Sequence, residues 1–153
     1  MEQTFPDCAK PRLQQRGATL LEAMVAILIF SLGILALVGM QALAVKQVAD
    51  AKYRADASFL ANQIIGEMWV KRTSPGFLAD HNYTGTGPPP AGLANWIASV
   101  QNALPGISAG VNQPTVTVAG AAPNWTVTVT VSWQPPATTA PHNHVTIAYI
   151  NSN

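Results

Sequence analysis

The sequence predicts an α+β protein in which one long N-terminal helix packs against a C-terminal antiparallel sheet. No proline interrupts residues 18–74, and their apolar residues pass from a continuous run into a stripe at helical spacing. Residues 115–149 instead contain stretches in which Thr alternates with Val, Ile or Trp, which is the period of a half-buried strand.

Residues 18–45 form the most apolar segment, and Glu22 is their single charged side chain. A helix that rises ~1.5 Å per residue can cross a ~30 Å hydrocarbon layer within such a segment. Lys10, Arg12 and Arg16 precede it, and by the positive-inside rule they hold the N-terminus in the cytoplasm. We therefore expect a membrane-spanning helix, with the rest of the chain on the far side of the membrane.

Residues 1–17 are predicted to be a leader that is removed. An ordinary secretory signal has a short apolar core followed by a small-residue cleavage site. Here the small residue, Gly17, precedes a long apolar run, so a cut between Gly17 and Ala18 would leave the apolar helix at the start of the mature chain. The single cysteine, Cys8, lies in the leader, so the mature chain would form no disulfide.

The residues around this junction resemble the class III signal of type IV prepilins. Arg16 and Gly17 are followed by ATLLEAMVA, which makes Glu22 the fifth residue after the glycine. The resemblance implies that a membrane-embedded prepilin peptidase cuts after Gly17 and that the new amine of Ala18 is methylated. The family usually has Phe where this chain has Ala18. A plain signal anchor is the alternative.

The same resemblance implies a role for Glu22. Its carboxylate is expected to pair with the N-terminal amine of a neighbouring subunit as subunits leave the bilayer. The partners would be other major and minor pilins and the inner-membrane assembly platform, and no cofactor is implied. The head would lie in the periplasm before assembly and on the pilus at the cell surface afterwards. A glutamate that reaches up to the lipid headgroups is the alternative.

Residues 46–74 are predicted to continue the helix in amphipathic form. Charged and polar side chains return after Lys46, and the apolar residues narrow to one helical face. That face should pack on the head, and it comprises Tyr53, Ala57, Leu60, Ile64 and Met68. Pro75 and Gly76 should end the helix, because proline cannot continue it and glycine suits the reversal.

Residues 75–153 are predicted to form a globular head. After a loop rich in Gly, Thr and Pro, a short helix over residues 93–104 should present one apolar face, made of Leu93, Trp96, Ile97, Val100 and Leu104. Three strands follow, over residues 115–118, 125–133 and 145–149, joined by connections short enough for an antiparallel meander. Covered by the long helix, this sheet would complete the pilin-like lollipop that the resemblance implies.

One face of the sheet is predicted to be apolar throughout. Its members are Val116 and Val118, the Val and Trp residues of the second strand from Trp125 to Trp133, and Val145, Ile147 and Tyr149. The histidines His142 and His144 are predicted to be exposed loop residues, although on a strand they would share a face as metal ligands sometimes do. A metal site is not predicted.

The charges of the head exclude some functions. From Thr73 to Asn153 the single charged side chain is Asp80. We expect no direct nucleic-acid binding by the head, because phosphate neutralisation needs several Lys or Arg contacts. No nucleophile has an identifiable base and orienting acid, so the sequence predicts a structural protein rather than an enzyme.

A second resemblance is to the PilV group of minor pilins, also called type IV pilus modification proteins. It is carried by Trp96, by the Leu-Pro-Gly at residues 104–106, and by the Thr/Val strand that ends in Trp133 and Gln134. It implies a low-abundance subunit that helps initiate or modify pilus assembly, and hence adhesion and motility. The alternatives are a minor pseudopilin of a type II secretion system and a membrane-anchored periplasmic binding module that does not polymerise.

Overall fold

A computed structural model describes residues 17–74, 76–136 and 138–152. Most of the predicted leader, with Cys8, Lys10, Arg12 and Arg16, lies outside the described residues, as does Pro75. The elements in chain order are α1 (Ala18–Val70), a short 3-10 helix (Ala79–His81), α2 (Ala91–Ala103), β1 (Thr115–Ala121), β2 (Asn124–Trp133) and β3 (His142–Asn151). The α+β class predicted from the sequence is confirmed.

The described residues divide into two units, of which the first ends at Val45 and the second begins at Lys46. In the first unit, residues 18–45 of α1 are exposed at every position. By its length and composition α1 is able to cross a membrane. The second unit contains the rest of α1 and all the other elements, and it has its own hydrophobic core.

The second part of α1 buries one face in that core. The predicted stripe is confirmed, since Ala57, Leu60, Ile64 and Met68 are buried and Tyr53 packs against them. The neighbouring Ala61 and Ile65 are buried as well. Spacings of three and four residues bring these side chains to one side of the helix. The helix ends at Val70, earlier than the predicted residue 74, and residues 71–73 form turns.

Helix α2 joins the same core through the predicted face. Leu93, Trp96, Ile97 and Val100 are buried, as is Leu104 just beyond the last turn. The Trp96 indole N–H donates to the backbone oxygen of Leu60 on α1 across 2.9 Å, inside the core. A buried indole N–H costs stability unless it finds an acceptor, so this bond fixes α2 against α1.

The sheet has three antiparallel strands in the order β1-β2-β3, so the predicted meander is confirmed. Strand β2 lies in the centre and points Val127, Val129, Val131 and Trp133 into the core. Both connections are shorter than predicted, because β1 extends to Ala121 and β3 begins at His142. Residues 122–123 join β1 to β2 through a cis Ala122–Pro123 peptide.

The prediction for β3 was wrong about its face. Val145, Ile147 and Tyr149 point away from the core, and Ile150 is the fully buried residue of this strand. Register explains the difference: Val145 pairs with Thr130 and Ile147 with Thr128, and directly paired residues share a face of an antiparallel sheet. The Val residues of β2 face the core, so its Thr residues face outward. The apolar residues of β3 that pair with these Thr residues therefore face outward as well.

The two histidines were also misplaced by the prediction. His142 and His144 lie at the start of β3 and are half-buried, rather than in an exposed loop. The His142 ring lies 5.8 Å from the Trp133 ring, measured between centroids, and Nε2 of His144 is 2.9 Å from the Thr146 hydroxyl. Both histidines thus occupy positions on the side of β3 that also carries Ile150.

Candidate processing and assembly site

The predicted cleavage junction lies at the first described residues. Gly17 is exposed in a turn, and Ala18 is the first residue of α1. The backbone oxygen of Gly17 accepts a hydrogen bond from the Leu21 N–H at 3.4 Å, so the glycine already caps the first helical turn. Among the described residues, no atom lies within 4 Å of the position where a Cβ of Gly17 would lie.

Glu22 lies one turn into α1 from Ala18. At ~1.5 Å rise per residue and 3.6 residues per turn, positions four apart lie on one helical face about 6 Å apart along the axis. The amine that cleavage would create at Ala18 and the carboxylate of Glu22 would therefore share one face of the helix. Cleavage would thus leave one positive and one negative group at the start of an otherwise uncharged apolar segment.

Glu22 has no cationic partner within the described chain. Across residues 17–74, 76–136 and 138–152 the ion pair present is that of Lys71 with Glu67, at 2.6 Å on the exposed side of α1. The Glu22 side chain is exposed and surrounded by apolar neighbours such as Leu21 and Val25. A carboxylate near lipid or apolar side chains is costly without a partner, and the described side chains provide no cation beside Glu22.

The rest of the apolar segment contains few polar side chains that need a hydrogen-bond partner. The Ser31 hydroxyl donates to the backbone oxygen of Ile27 at 2.7 Å, which removes its need for water. The large apolar side chains point outward on all sides of the helix. A helix that is apolar all round is suited to a lipid bilayer or to the interior of an assembly.

A comparison with protein families supports the assignment of this segment. The model of the prokaryotic N-terminal methylation motif matches residues 12–38, which include Gly17, Ala18 and Glu22. The N-terminus of this chain is pilin-like. Residues 12–16 of the match lie outside the described residues. No curated protein and no solved structure matches the chain.

The motif is typical of one class of exported protein. It supports a type IV pilin or pseudopilin, which are structural proteins processed by a prepilin peptidase. Together with the apolar helix it also indicates membrane anchoring. Among the described residues the chain has no group of three or more His, Cys, Asp or Glu side chains suited to a metal ion.

Sequence reasoning missed two features of the head. The Trp96 to Leu60 hydrogen bond joins residues far apart in the chain, and no local pattern could have signalled it. The outward row of Val145, Ile147 and Tyr149 was assigned to the core. Alternation shows that these three residues share one face of the strand. Which face points to the core depends on the register with the neighbouring strand.

Proposed function

We propose that the pilin-like chain is a minor type IV pilin, a structural subunit that prepilin peptidase cuts between Gly17 and Ala18 before it joins a pilus. The observation that carries the proposal is the methylation motif over residues 12–38, with Gly17 directly ahead of the first residue of α1. After the cut the amine of Ala18 is methylated, and the chain is held in the inner membrane by residues 18–45 with its head in the periplasm.

Assembly depends on Glu22 in this proposal. A charged side chain costs about 2.5–3.5 kcal/mol at the centre of a membrane helix on insertion scales, and less toward the interface. The amine of Ala18 on a neighbouring subunit offsets this cost when the two helices pack. Because that amine is created by removal of the leader, processing has to precede assembly. The lack of a cation near Glu22 within the described residues supports an intermolecular partner.

The minor role rests on the head. Trp96, the Leu-Pro-Gly at residues 104–106 and the β2 end at Trp133 support membership of the PilV group. Its partners are the prepilin peptidase, the inner-membrane assembly platform, and other major and minor pilins. We further propose that the head makes its contacts through uncharged surfaces, because Asp80 is the single charged residue after Thr73.

The test of assembly compares Glu22→Ala with Glu67→Ala, which removes an acidic residue from the exposed side of the same helix. Both variants should be processed, with the mass of the leader-free chain. Recovery of Glu22→Ala in sheared pili should fall at least tenfold, which corresponds to about 1.4 kcal/mol. Glu67→Ala should be recovered normally. Normal recovery of Glu22→Ala would contradict the pairing.

The same fractionation separates the proposal from its alternatives. A minor pilin should appear in sheared surface pili, and its deletion should reduce pilus number. A minor pseudopilin would be processed in the same way, but its deletion would block protein secretion and leave pili unchanged. A binding module that does not polymerise would stay in the membrane fraction and would be missing from sheared pili. Either of the last two results would overturn the assignment to a pilus.

A further inference from the structure

The two outer edges of the sheet differ in how they are covered. Along the free side of β1, Tyr83 forms a two-bond bridge with Val116: its N–H donates across 2.7 Å and its oxygen accepts across 2.9 Å. The Asn82 side-chain oxygen accepts a further bond from the Val118 N–H at 3.3 Å. The chain thus uses its own residues 82–83 to close the edge of β1.

Over residues 142–150 the edge of β3 has no such cover from the described residues. In the part of the chain that the structure describes, no hydrogen bond from outside the sheet reaches the backbone of residues 142–150. Every second residue of an edge strand points its N–H and C=O away from the sheet. Pairing with β2 runs without a bulge from Asn151 to His142, and β3 contains neither proline nor a charged side chain. The usual devices that protect an edge are therefore missing here.

An apolar row lies beside this open edge. Val145, Ile147 and Tyr149, the outer row, are 50%, 56% and 76% exposed on the face of the sheet that points away from the core. Across the sheet they adjoin the Thr residues of β2. A second strand beside β3 would bring its own alternate side chains against this row, as cross-strand neighbours do.

We propose that β3 receives an extended, uncharged strand of a partner protein, which adds to the sheet and covers the outer row. An extended chain presents N–H and C=O groups at the spacing that the edge offers, whereas a helix uses these groups internally and lipid presents no regular row of both. The partner strand carries apolar side chains at alternate positions, because the outer row is apolar. It carries no charge there, because neither β3 nor the adjoining face of β2 offers an opposite charge.

A second copy of this chain fits the edge less well. Its β1 edge is already covered, so it would have to offer β3. Antiparallel pairing of two identical edges turns one copy through a two-fold axis normal to the sheet. Residues 46–70 of α1 would then run in opposite directions in the two copies. Cross-links between β3 and β3 of a second copy would distinguish that arrangement from a partner strand.

The experiment places a photo-activated cross-linking amino acid at position 145, 147 or 149 of the full chain in its own cells. Position 111 serves as the control, since Val111 is 51% exposed but lies outside the sheet. Cross-linked residues of the partner are then identified by mass spectrometry. Strand addition predicts a single partner segment, in which the cross-linked residue moves by about two positions each time the probe moves by two. Position 111 should not cross-link to that segment.

Other patterns would overturn the proposal. Partner residues spaced by three or four would indicate a helix, and cross-links to β3 of the same protein would indicate a second copy. Absence of cross-links, or equal cross-linking from position 111, would mean that no strand occupies this edge. As a second readout, Tyr149→Lys should reduce cross-linking from position 145 at least fivefold without lowering the melting temperature, because Tyr149 is 76% exposed. Unchanged cross-linking in this variant would also contradict the proposal.

Discussion

The two parts of helix α1 differ in how far their apolar side chains are buried within the chain. Residues 18–45 are the more apolar part, yet every one of them is exposed. Residues 46–70 contain Lys, Arg, Asp and Glu, yet they bury a full stripe against the head. Burial is therefore decided by which partners a segment finds within the chain. Among the described residues the most apolar part finds none, which suits a segment that lies in lipid or inside an assembly.

The largest expected effect comes from making the same substitution in both parts. Ile64 is 0% exposed and Ile34 is 46% exposed. Ile64→Ala should lower the free energy of unfolding of the head by about 2–5 kcal/mol, because it leaves a cavity in the core. Ile34→Ala should change it by less than about 0.5 kcal/mol. Denaturant unfolding of the full chain in detergent, followed by tryptophan fluorescence, measures both. Equal changes in the free energy of unfolding would contradict the difference in burial between the two parts of α1.

A smaller effect is expected at the contact between α1 and α2. Trp96→Phe removes the bond to the Leu60 oxygen and should cost about 1–3 kcal/mol, because a buried acceptor loses a partner. Trp69→Phe is the matched control on the exposed side of α1, where Trp69 is 40% exposed, and it should cost less than about 0.5 kcal/mol. The same unfolding measurement applies. A control as destabilised as Trp96→Phe would show that the buried bond contributes little.

The smallest effect should have the opposite sign. Gly66 lies within the second part of α1 and Gly33 within the first, and a Cβ at either position would meet nothing within 4 Å. Gly66→Ala should stabilise the head by up to about 1 kcal/mol, because alanine favours the helix. Gly33→Ala should leave the unfolding of the head unchanged. Destabilisation by Gly66→Ala would indicate that this part of α1 is not a regular helix in solution.

Much of this fold could be predicted because its patterns are local. The buried stripe from Ala57 to Met68 follows from helical spacing, and the burial of Val127, Val129 and Val131 follows from strand alternation. The helix end at Val70 was harder to place, since Lys71 to Ser74 carry no strong stop signal before Pro75. Boundaries depend on capping contacts that the pattern does not contain.

The face of β3 could not be predicted because it depends on register. The alternation of Val145, Ile147 and Tyr149 is typical of a core face. In the register with β2, however, these residues lie on the outward face and Ile150 lies in the core. A shift of one residue exchanges the two faces of a strand, so alternation alone leaves the choice open. At the N-terminus the junction at Gly17 and Ala18 could be proposed from sequence, because its signal is a short contiguous motif.

Intact mass and N-terminal sequencing of the protein from isolated membranes, in cells with and without prepilin peptidase, would test the proposed processing at Gly17. Such processing predicts a chain that starts at Ala18 and carries one added methyl group when the peptidase is present, and a chain that keeps its leader when the peptidase is absent. A chain that starts at Met1 in both strains would contradict processing at Gly17, and with it the proposed role in a pilus.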